Sequence, residues 1–448
     1  VNIIIIINFI FNFTYILILM KLLLLLFSTL LSQQWQPFHI EDLSNNKNTY
    51  IDYHQIDNSV NDLTTTYRNT LSHKVIGYLP YWEYESYPQI DYSLLTEINY
   101  FSAELNEYGN IINDHNWNTI GFIDYAQSQG VKVKLCATLF DSNSLETLLS
   151  SSLNRTNAIS NLLNKVLLRN ADGVDIDFEL VPSSQRDNLV LFMQELSDTF
   201  HANMEDPIIT MATPAIDWSN AWDYNALAQI CDGLFIMGYN YFYSGSQTAG
   251  PVSPLGGYFY DIDYTVQDYK DKVDNQLDKL ILGLPYYGYD WPVTSSLMNA
   301  TTTGVGTART YNSCQTFLNN YNSNWNTLSN STWIPYNDNN WQQIWYDDSL
   351  SLSIKYEYAK NMDLGGVGIW ALGYDNNSPQ MWGSIYHQFS ANLNGDLNDD
   401  LILNIFDIII MVSIITENAE YDPYADLNDD STINIQDIII LVNLILDS

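Results

Sequence analysis

A chain of 448 residues is too long for one small domain and long enough for a barrel-sized core with an appendage. Its 16 Lys and Arg stand against 52 Asp and Glu, a formal net charge of -36 at pH 7. Such a charge repels phosphate backbones and anionic lipid surfaces, so nucleic acid is excluded as a partner, while neutral substrates, divalent cations or a saline medium suit it.

Three cysteines, Cys136, Cys231 and Cys314, are too few and too scattered for a disulfide framework or a zinc cluster, and a large core must stabilise the fold. The six histidines show no ligand spacing and read as structural or surface residues, so no catalytic metal or other catalytic cofactor is expected. The 33 Tyr and 12 Trp are many, and flat amphipathic rings of this kind stack on the apolar faces of sugars.

Residues 1–32 carry a single charge, Lys21. Met20-Lys21, the apolar run Leu22 to Leu31 and then Ser32-Gln33 have the layout of a signal peptide, with residues 1–19 as an upstream extension. The alternative is an uncleaved anchor from Ile3 to Leu31. Residues 33–73 are polar, rich in Asn, Asp and Thr and without sustained periodicity, which predicts a leader or linker.

From Lys74 onward, short apolar β-rich runs alternate with helical patterning, the signature of βα units around a parallel sheet. The runs are Val75 to Leu79, Ile98 to Phe101, Val131 to Leu139, Gly173 to Phe178, Ile208 to Thr213, Leu234 to Tyr239, Leu280 to Leu284 and Val367 to Ala371. Eight repeats predict an α/β fold of the (β/α)8 TIM barrel type over residues 74–390. The stretch at about 290–345 is longer than a βα loop needs and predicts a small insertion between strands 7 and 8.

The fourth run, Asp172-Gly173-Val174-Asp175-Ile176-Asp177-Phe178-Glu179, has acids at alternate positions with apolar residues between them. A strand sends every second residue to one side, so Asp175, Asp177 and Glu179 converge while Val174, Ile176 and Phe178 pack outward against helices. Carboxylates gathered inside a barrel repel one another and lose hydration, so at least one is expected to keep a proton near neutral pH. Glu179, last in the row and at the C-terminal end of a barrel strand, reaches furthest into the cleft.

This octapeptide matches the signature of glycoside hydrolase family 18, the chitinase family, at every fixed position. Gly77-Tyr78-Leu79-Pro80-Tyr81-Trp82 resembles that family's first strand, Met237-Gly238-Tyr239 its sixth-strand motif, Gly283-Leu284-Pro285-Tyr286-Tyr287-Gly288 its seventh and Gly366-Val367-Gly368-Ile369-Trp370 its eighth. The resemblance implies substrate-assisted, retaining hydrolysis of β-1,4-linked N-acetylglucosamine polymers, most simply chitin. It assigns Glu179 as acid and base, Asp177 as the acceptor of the acetamido N–H, Asp175 as a carboxyl sharing a proton behind it, and Tyr239 as a donor to the acetamido oxygen. It puts Tyr81, Trp82, Met237, Asn240 and Trp370 at the sugar, Trp370 as its apolar floor. Peptidoglycan or the chitobiose of N-glycans are alternative substrates, and a non-catalytic chitinase-like lectin is the competing class. Two departures stand out: Asn240 replaces the usual Asp after the sixth-strand Tyr, and Val131 to Leu139 lacks the Ser-x-Gly-Gly pattern that normally leaves space in the groove.

Residues 391–448 hold a duplication at a 30-residue offset, Asp396 through Asp407 and Asp426 through Asp437, each followed by an Ile/Leu-rich helix. Oxygen-bearing side chains fall at the spacing of a calcium loop: Asp396, Asn398, Asp400, Asn404 and Asp407, then Asp426, Asn428, Asp430, Asn434 and Asp437. Ile402 and Thr432 would add backbone carbonyls. The arrangement resembles a type I dockerin, a small all-α module, which implies two structural Ca2+ ions and a cohesin of a scaffold protein as partner. The expected location is extracellular, with attachment to a cell surface through such a scaffold as one form of it.

Overall fold

The structure, a computed structural model, describes residues 36–59, 71–390, 395–398, 402–417, 424–428 and 432–447. The segment expected to be a signal peptide, with its start at Met20, and the loop positions Asp400 and Asp430, lie outside the described residues.

The strands in chain order are β1 (Lys74–Pro80), β2 (Glu97–Leu105), β3 (Ile111–Asn113), β4 (Lys132–Leu139), β5 (Gly173–Phe178), β6 (Ile208–Pro214), β7 (Gly233–Met237), β8 (Leu280–Pro285), β9 (Tyr287–Pro292), β10 (Thr307–Thr310), β11 (Asn324–Asn326), β12 (Ser331–Asp338), β13 (Asn340–Tyr346) and β14 (Gly366–Trp370). The parallel neighbours run β1-β14-β8-β7-β6-β5-β4-β2, and β2 pairs back to β1, which closes eight strands into a barrel. Every apolar run expected to be a strand is one, because both faces of each are buried, one in the barrel and one under helices.

The helix Ser152–Arg169 shows how the outer layer is written into the sequence. The Ser151 hydroxyl accepts the N–H of Asn154 as an N-cap, Ala158, Ile159, Leu162 and Val166 recur at helical spacing and are buried, and Asn170 ends the helix in the left-handed region at φ 49°. Each fully buried Leu or Ile contributes on the order of 2 kcal/mol. Arg155 joins it to the next layer helix, Arg186–Asn203, by a two-pronged pair with Glu195 at 2.8 and 2.9 Å.

Inside the barrel the Phe235 ring fills the space between β8 and β14. A Cβ at Gly283 would lie 2.3 Å from that ring and one at Gly368 would lie 1.9 Å from it, so both motif glycines are required by packing. The insertion is a five-stranded antiparallel sheet, β10-β9-β13-β12-β11, which begins at Tyr287 immediately after β8 and walls one side of the barrel mouth.

The leader differs from its expectation. Within it the chain forms two helices, α1 (Phe38–Asn46) and α2 (Tyr53–Ser59). A helix of nine residues shows too few turns for its periodicity to be read, and in isolation it would be unstable. It forms here because it packs into the barrel, as described below.

At the C-terminus the helices Ile405–Glu417 and Ile435–Asp447 share a separate core of Met411, Ala425 and Leu441, flanked by Leu397, Leu403, Leu427 and Ile433. No helix among the described residues is long and apolar enough to cross a membrane.

Candidate active site

The alternation in β5 does what strand geometry requires. Asp175, Asp177 and Glu179 are all buried within the barrel, while Phe178 faces outward and its ring meets Phe192 at 5.3 Å. Asp175, deepest of the three, accepts hydrogen bonds from the Tyr78 hydroxyl (2.7 Å) and from Thr210 Oγ1 (2.5 Å). Burial raises its pKa, with the Lys134 ammonium acting against that rise. Lys134 is itself fully buried and donates to Glu97 (2.6 Å) and Thr210 (2.8 Å), so β4 places a paired cation where small residues were absent from the sequence.

Glu179 stands at the mouth of the barrel beyond the end of β5. Burial, reinforced by the Asp177 carboxylate, raises its pKa from 4.5 to about 7. A carboxylic acid that keeps its proton near neutral pH can protonate a leaving group and then act as a base. Tyr239 lies two residues past β7, buried beside the acids. Trp370 ends β14, fully buried, its ring 5.0 Å from Phe101 and 5.5 Å from Tyr78.

The site is completed by a residue from the leader. His39 of α1 sits among the acids, with Nδ1 at 2.7 Å from Asp177 Oδ2 and 3.2 Å from Glu179 Oε1, and Nε2 at 2.7 Å from the Tyr239 hydroxyl. Its ring stacks on Trp370 at a centroid distance of 3.6 Å and 24°. Burial alone would push the imidazole pKa down, but the charges and hydrogen bonds of Asp177 and Glu179 outweigh it and raise it from 6.5 to about 10. The ring is therefore an imidazolium that donates from both nitrogens, to Asp177 and to Tyr239.

The rest of α1 follows the same wall. The Asp42 carboxylate accepts from Trp370 Nε1 (3.1 Å) and the Tyr374 hydroxyl (2.6 Å), and Glu41 accepts from the Tyr289 hydroxyl (2.8 Å) and Ser244 Oγ (3.0 Å). Phe38 stacks on Tyr287 at 3.5 Å and 3°. Beyond Phe38 the groove stays open as a cleft of about 540 Å³ lined by Glu179, Met237, Tyr239, Asn240, Trp218 and Tyr260 among others.

The sequence profile described as "Glycosyl hydrolases family 18" matches residues 74–375, the whole barrel and its insertion. The chain belongs to glycosyl hydrolases family 18. Among curated family relatives it is 28% identical over 229 residues to the cortical fragment-lytic enzyme of Bacillus subtilis, covering 49% of this chain and 50% of that one. It is 26% identical over 274 residues to human di-N-acetylchitobiase, covering 55% and 68%. The chain thus spans about half the length of the Bacillus subtilis relatives it matches, 54% and 50%. A family 18 chitinase from Cycas revoluta in complex with (GlcNAc)3 shares the fold at a TM-score of 0.65 and 19% identity, over 70% of this chain and 99% of that one.

Of the family 18 positions named from the sequence, Glu179, Met237, Tyr239 and Asn240 line the cleft, Asp177 and Trp370 meet His39 behind it, and Asp175 lies deeper with Tyr78 and Thr210. Asn240 adopts φ 64°, a left-handed conformation that Asn and Asp tolerate best, which explains a short polar residue there; its Nδ2 donates to the Gln36 carbonyl at 3.1 Å. Trp82 stands one step away, its Nε1 donating to the Tyr374 hydroxyl at 3.0 Å. Tyr81 is turned aside, stacked on His115 at 3.6 Å with its hydroxyl donating to the Asn46 carbonyl. Asp175 is bonded to Tyr78 and Thr210 while Asp177 faces His39, so the proton sharing expected between the two acids gives way to separate partners.

The reading of the histidines as structural or surface residues fails for His39. With Asp177 and Glu179 it forms a group whose ligand atoms lie within 4.8 Å of one another, the one such group among the described residues that could hold a metal ion. Nothing local could have revealed it, since its partners are 138 and 200 residues away in sequence. Tyr374 and Lys134 were missed for the same reason.

The two C-terminal loops repeat one geometry. Asp407 Oδ1 and Oδ2 accept the backbone N–H of Leu397 (2.9 Å) and Asn404 (2.8 Å), and Asp437 accepts those of Leu427 (2.9 Å) and Asn434 (2.8 Å). Asp396, Asp407, Asp426 and Asp437 are all buried.

Proposed function

We propose that this protein is a secreted glycosidase that hydrolyses β-1,4-linked N-acetylglucosamine polymers, chitin or a related chain, with the substrate's own acetamido group as nucleophile. The observation that carries the reading is the placement of a buried, proton-holding Glu179 beside Asp177, Tyr239 and the face of Trp370. A sugar ring lying on Trp370 presents its acetamido group to Asp177 and Tyr239 and its glycosidic oxygen to Glu179. Glu179 gives its proton to that oxygen as the C–O bond breaks, and the acetamido oxygen bonds to the anomeric carbon, forming an oxazolinium ion. Asp177 accepts the acetamido N–H and stabilises the positive ring, and Tyr239 donates to the acetamido oxygen before attack. The Glu179 carboxylate then takes a proton from water, which opens the ring with retention of configuration. Asp175, held by Tyr78 and Thr210, supports the charge of Asp177 from below.

The name of one relative, di-N-acetylchitobiase, supports 2-acetamido sugars as the substrate class and favours chitobiose as a second reading, with peptidoglycan as another polymer of the same class. The exposed Trp218 edge-on to Tyr260 at 5.0 Å gives the open half of the cleft an aromatic platform for the leaving side of the chain.

What supports two calcium ions in the C-terminal module is the repeat itself, since each loop buries two aspartates, Asp396 with Asp407 and Asp426 with Asp437. Asp396, Asn398, Asn404 and Asp407 would hold one ion and Asp426, Asn428, Asn434 and Asp437 the other, with Asp400 and Asp430 completing the sets; calcium would supply folding energy to the module. In this reading the module docks on a cohesin and carries the barrel on an extracellular scaffold.

The test is release of reducing sugar from chitin oligosaccharides and from peptidoglycan by the protein and by Glu179→Gln, with calcium present. Activity on chitin that collapses in the variant supports the proposal, activity confined to peptidoglycan moves the substrate, and inactivity of both on every acetamido substrate, with chitin oligosaccharides still bound by the protein, supports a lectin.

A further inference from the structure

We propose that α1 is an intramolecular inhibitor: the leader shuts its own catalytic cleft by seating His39 where the reacting sugar would lie, and the barrel turns over substrate only when α1 leaves. The inference rests on the reading of this cleft as a glycosidase site.

The contacts of α1 fall on the groups assigned to the sugar. His39 takes the face of Trp370, the Asp177 carboxylate and the Tyr239 hydroxyl together. An imidazolium is a flat, five-membered cation with an N–H aimed at Asp177, and so is the oxazolinium that the proposed chemistry forms at that point. The two differ at Tyr239, which accepts from Nε2–H of His39 and would face an oxygen of the intermediate. A site built to stabilise such a cation binds its mimic more tightly than it binds substrate. Asp42 takes the indole N–H of Trp370 and the Tyr374 hydroxyl, donors that otherwise suit sugar hydroxyls.

A permanent structural strap would be expected to bury apolar side chains, because buried charges cost desolvation energy. From nine residues α1 buries one large apolar side chain, Phe38, and beside it buries His39 and Asp42 and half-buries Glu41, each of these three against a polar group of the cleft. Its own helix is weak: no side chain caps its N-terminus, and its length is below that of an independently stable helix. Docking therefore depends on the cleft, and an undocked α1 unravels. The second leader helix gives a separate anchor, since Asp57 accepts from the Tyr84 and Tyr87 hydroxyls (2.7 and 3.0 Å) and from the N–H of Gly121 (2.9 Å). Held there, α1 stays at the high effective concentration that makes even a modest contact set inhibitory. The blockage covers one side of Glu179 alone, because the cleft on the other side is open from Phe38 to Trp218.

The test compares the full chain with its Phe38→Ala/His39→Ala/Asp42→Ala variant, none of whose changes lies in the barrel; His39→Ala alone is the milder control should the triple variant unfold. On a fluorogenic N,N′-diacetylchitobioside the variant is expected to gain at least tenfold in kcat/KM, chiefly through KM, and a peptide spanning residues 36–48 added in trans should inhibit it competitively. Equal and measurable rates for the two proteins would overturn the proposal. Hydrogen exchange of the α1 amides provides an arm that needs no substrate. Exchange in the full chain as fast as in the variant means that the cleft is not held shut and refutes it. Protection in the full chain, lost in the variant, with neither protein cleaving any acetamido sugar, leaves the occlusion standing and brings down the glycosidase reading instead.

Discussion

Replacing Glu179 with Gln should make the protein more stable while disabling it, and by an amount that depends on pH. The carboxyl is buried, and its pKa rises from 4.5 to about 7, so folding favours the protonated form. A shift of that size corresponds to roughly 3 kcal/mol at 1.36 kcal/mol per pKa unit. The sign follows from linkage: below about pH 4.5 the group is protonated in both states and costs nothing, between there and about pH 7 the unfolded chain releases the proton first, and above that the full penalty is present. Gln has no proton to release, so the stability gap between Glu179→Gln and the parent should be near its minimum at pH 4 and grow by about 2–3 kcal/mol by pH 8. The value of about 7 already contains the attraction of His39, and Asp177 keeps that imidazole paired in the variant. Urea midpoints of both proteins from pH 4 to pH 8 measure the gap directly. A gap that stays flat across that range would refute the argument that burial holds the proton on Glu179. Activity in the variant should fall by a factor on the order of 100 or more, the usual contribution of a positioned acid.

Other consequences follow from the same contacts. His39, faced by Asp177, Glu179, Tyr239, Asp42 and Tyr78, has its pKa raised from 6.5 to about 10, so its contribution to α1 docking is complete below about pH 6.5 and is lost as the pH rises through about 10; NMR titration of the imidazole should show no deprotonation at pH 8. Lys134→Met should cost on the order of 3–5 kcal/mol in urea unfolding, because it strands the buried Glu97 carboxylate with Lys74 alone at 3.3 Å, and it should also raise the pKa of Asp175 by removing the nearest cation. Chelating calcium, or Asp407→Ala with Asp437→Ala, should lower the helical circular dichroism of the C-terminal module while the barrel's unfolding midpoint stays in place, since the module's core is separate from that of the barrel. Calorimetry showing no calcium uptake by the intact chain would remove the metal from the account.

What the sequence by itself determined is local or periodic. The alternation of apolar and acidic residues in Asp172 to Glu179 specified a strand, the face its carboxylates share and the end at which Glu179 emerges, because side-chain direction in a strand follows from a period of two. The eight apolar runs specified the barrel because a parallel strand buried on both faces reads as a continuous apolar run, and the spacing of oxygen ligands marked the two C-terminal loops. Tertiary structure alone decided what surrounds those carboxylates. Lys134, Tyr78 and Thr210 reach Asp175 from three other strands, and Tyr374 enters from beyond β14. The leader was illegible because α1 is too short to declare a period and too weak to fold alone, and what holds it is the Phe38 stack and a set of polar contacts to residues 35 to 332 positions away. A polar stretch with one histidine reads as a linker until the barrel closes and supplies the acids that make it a cation.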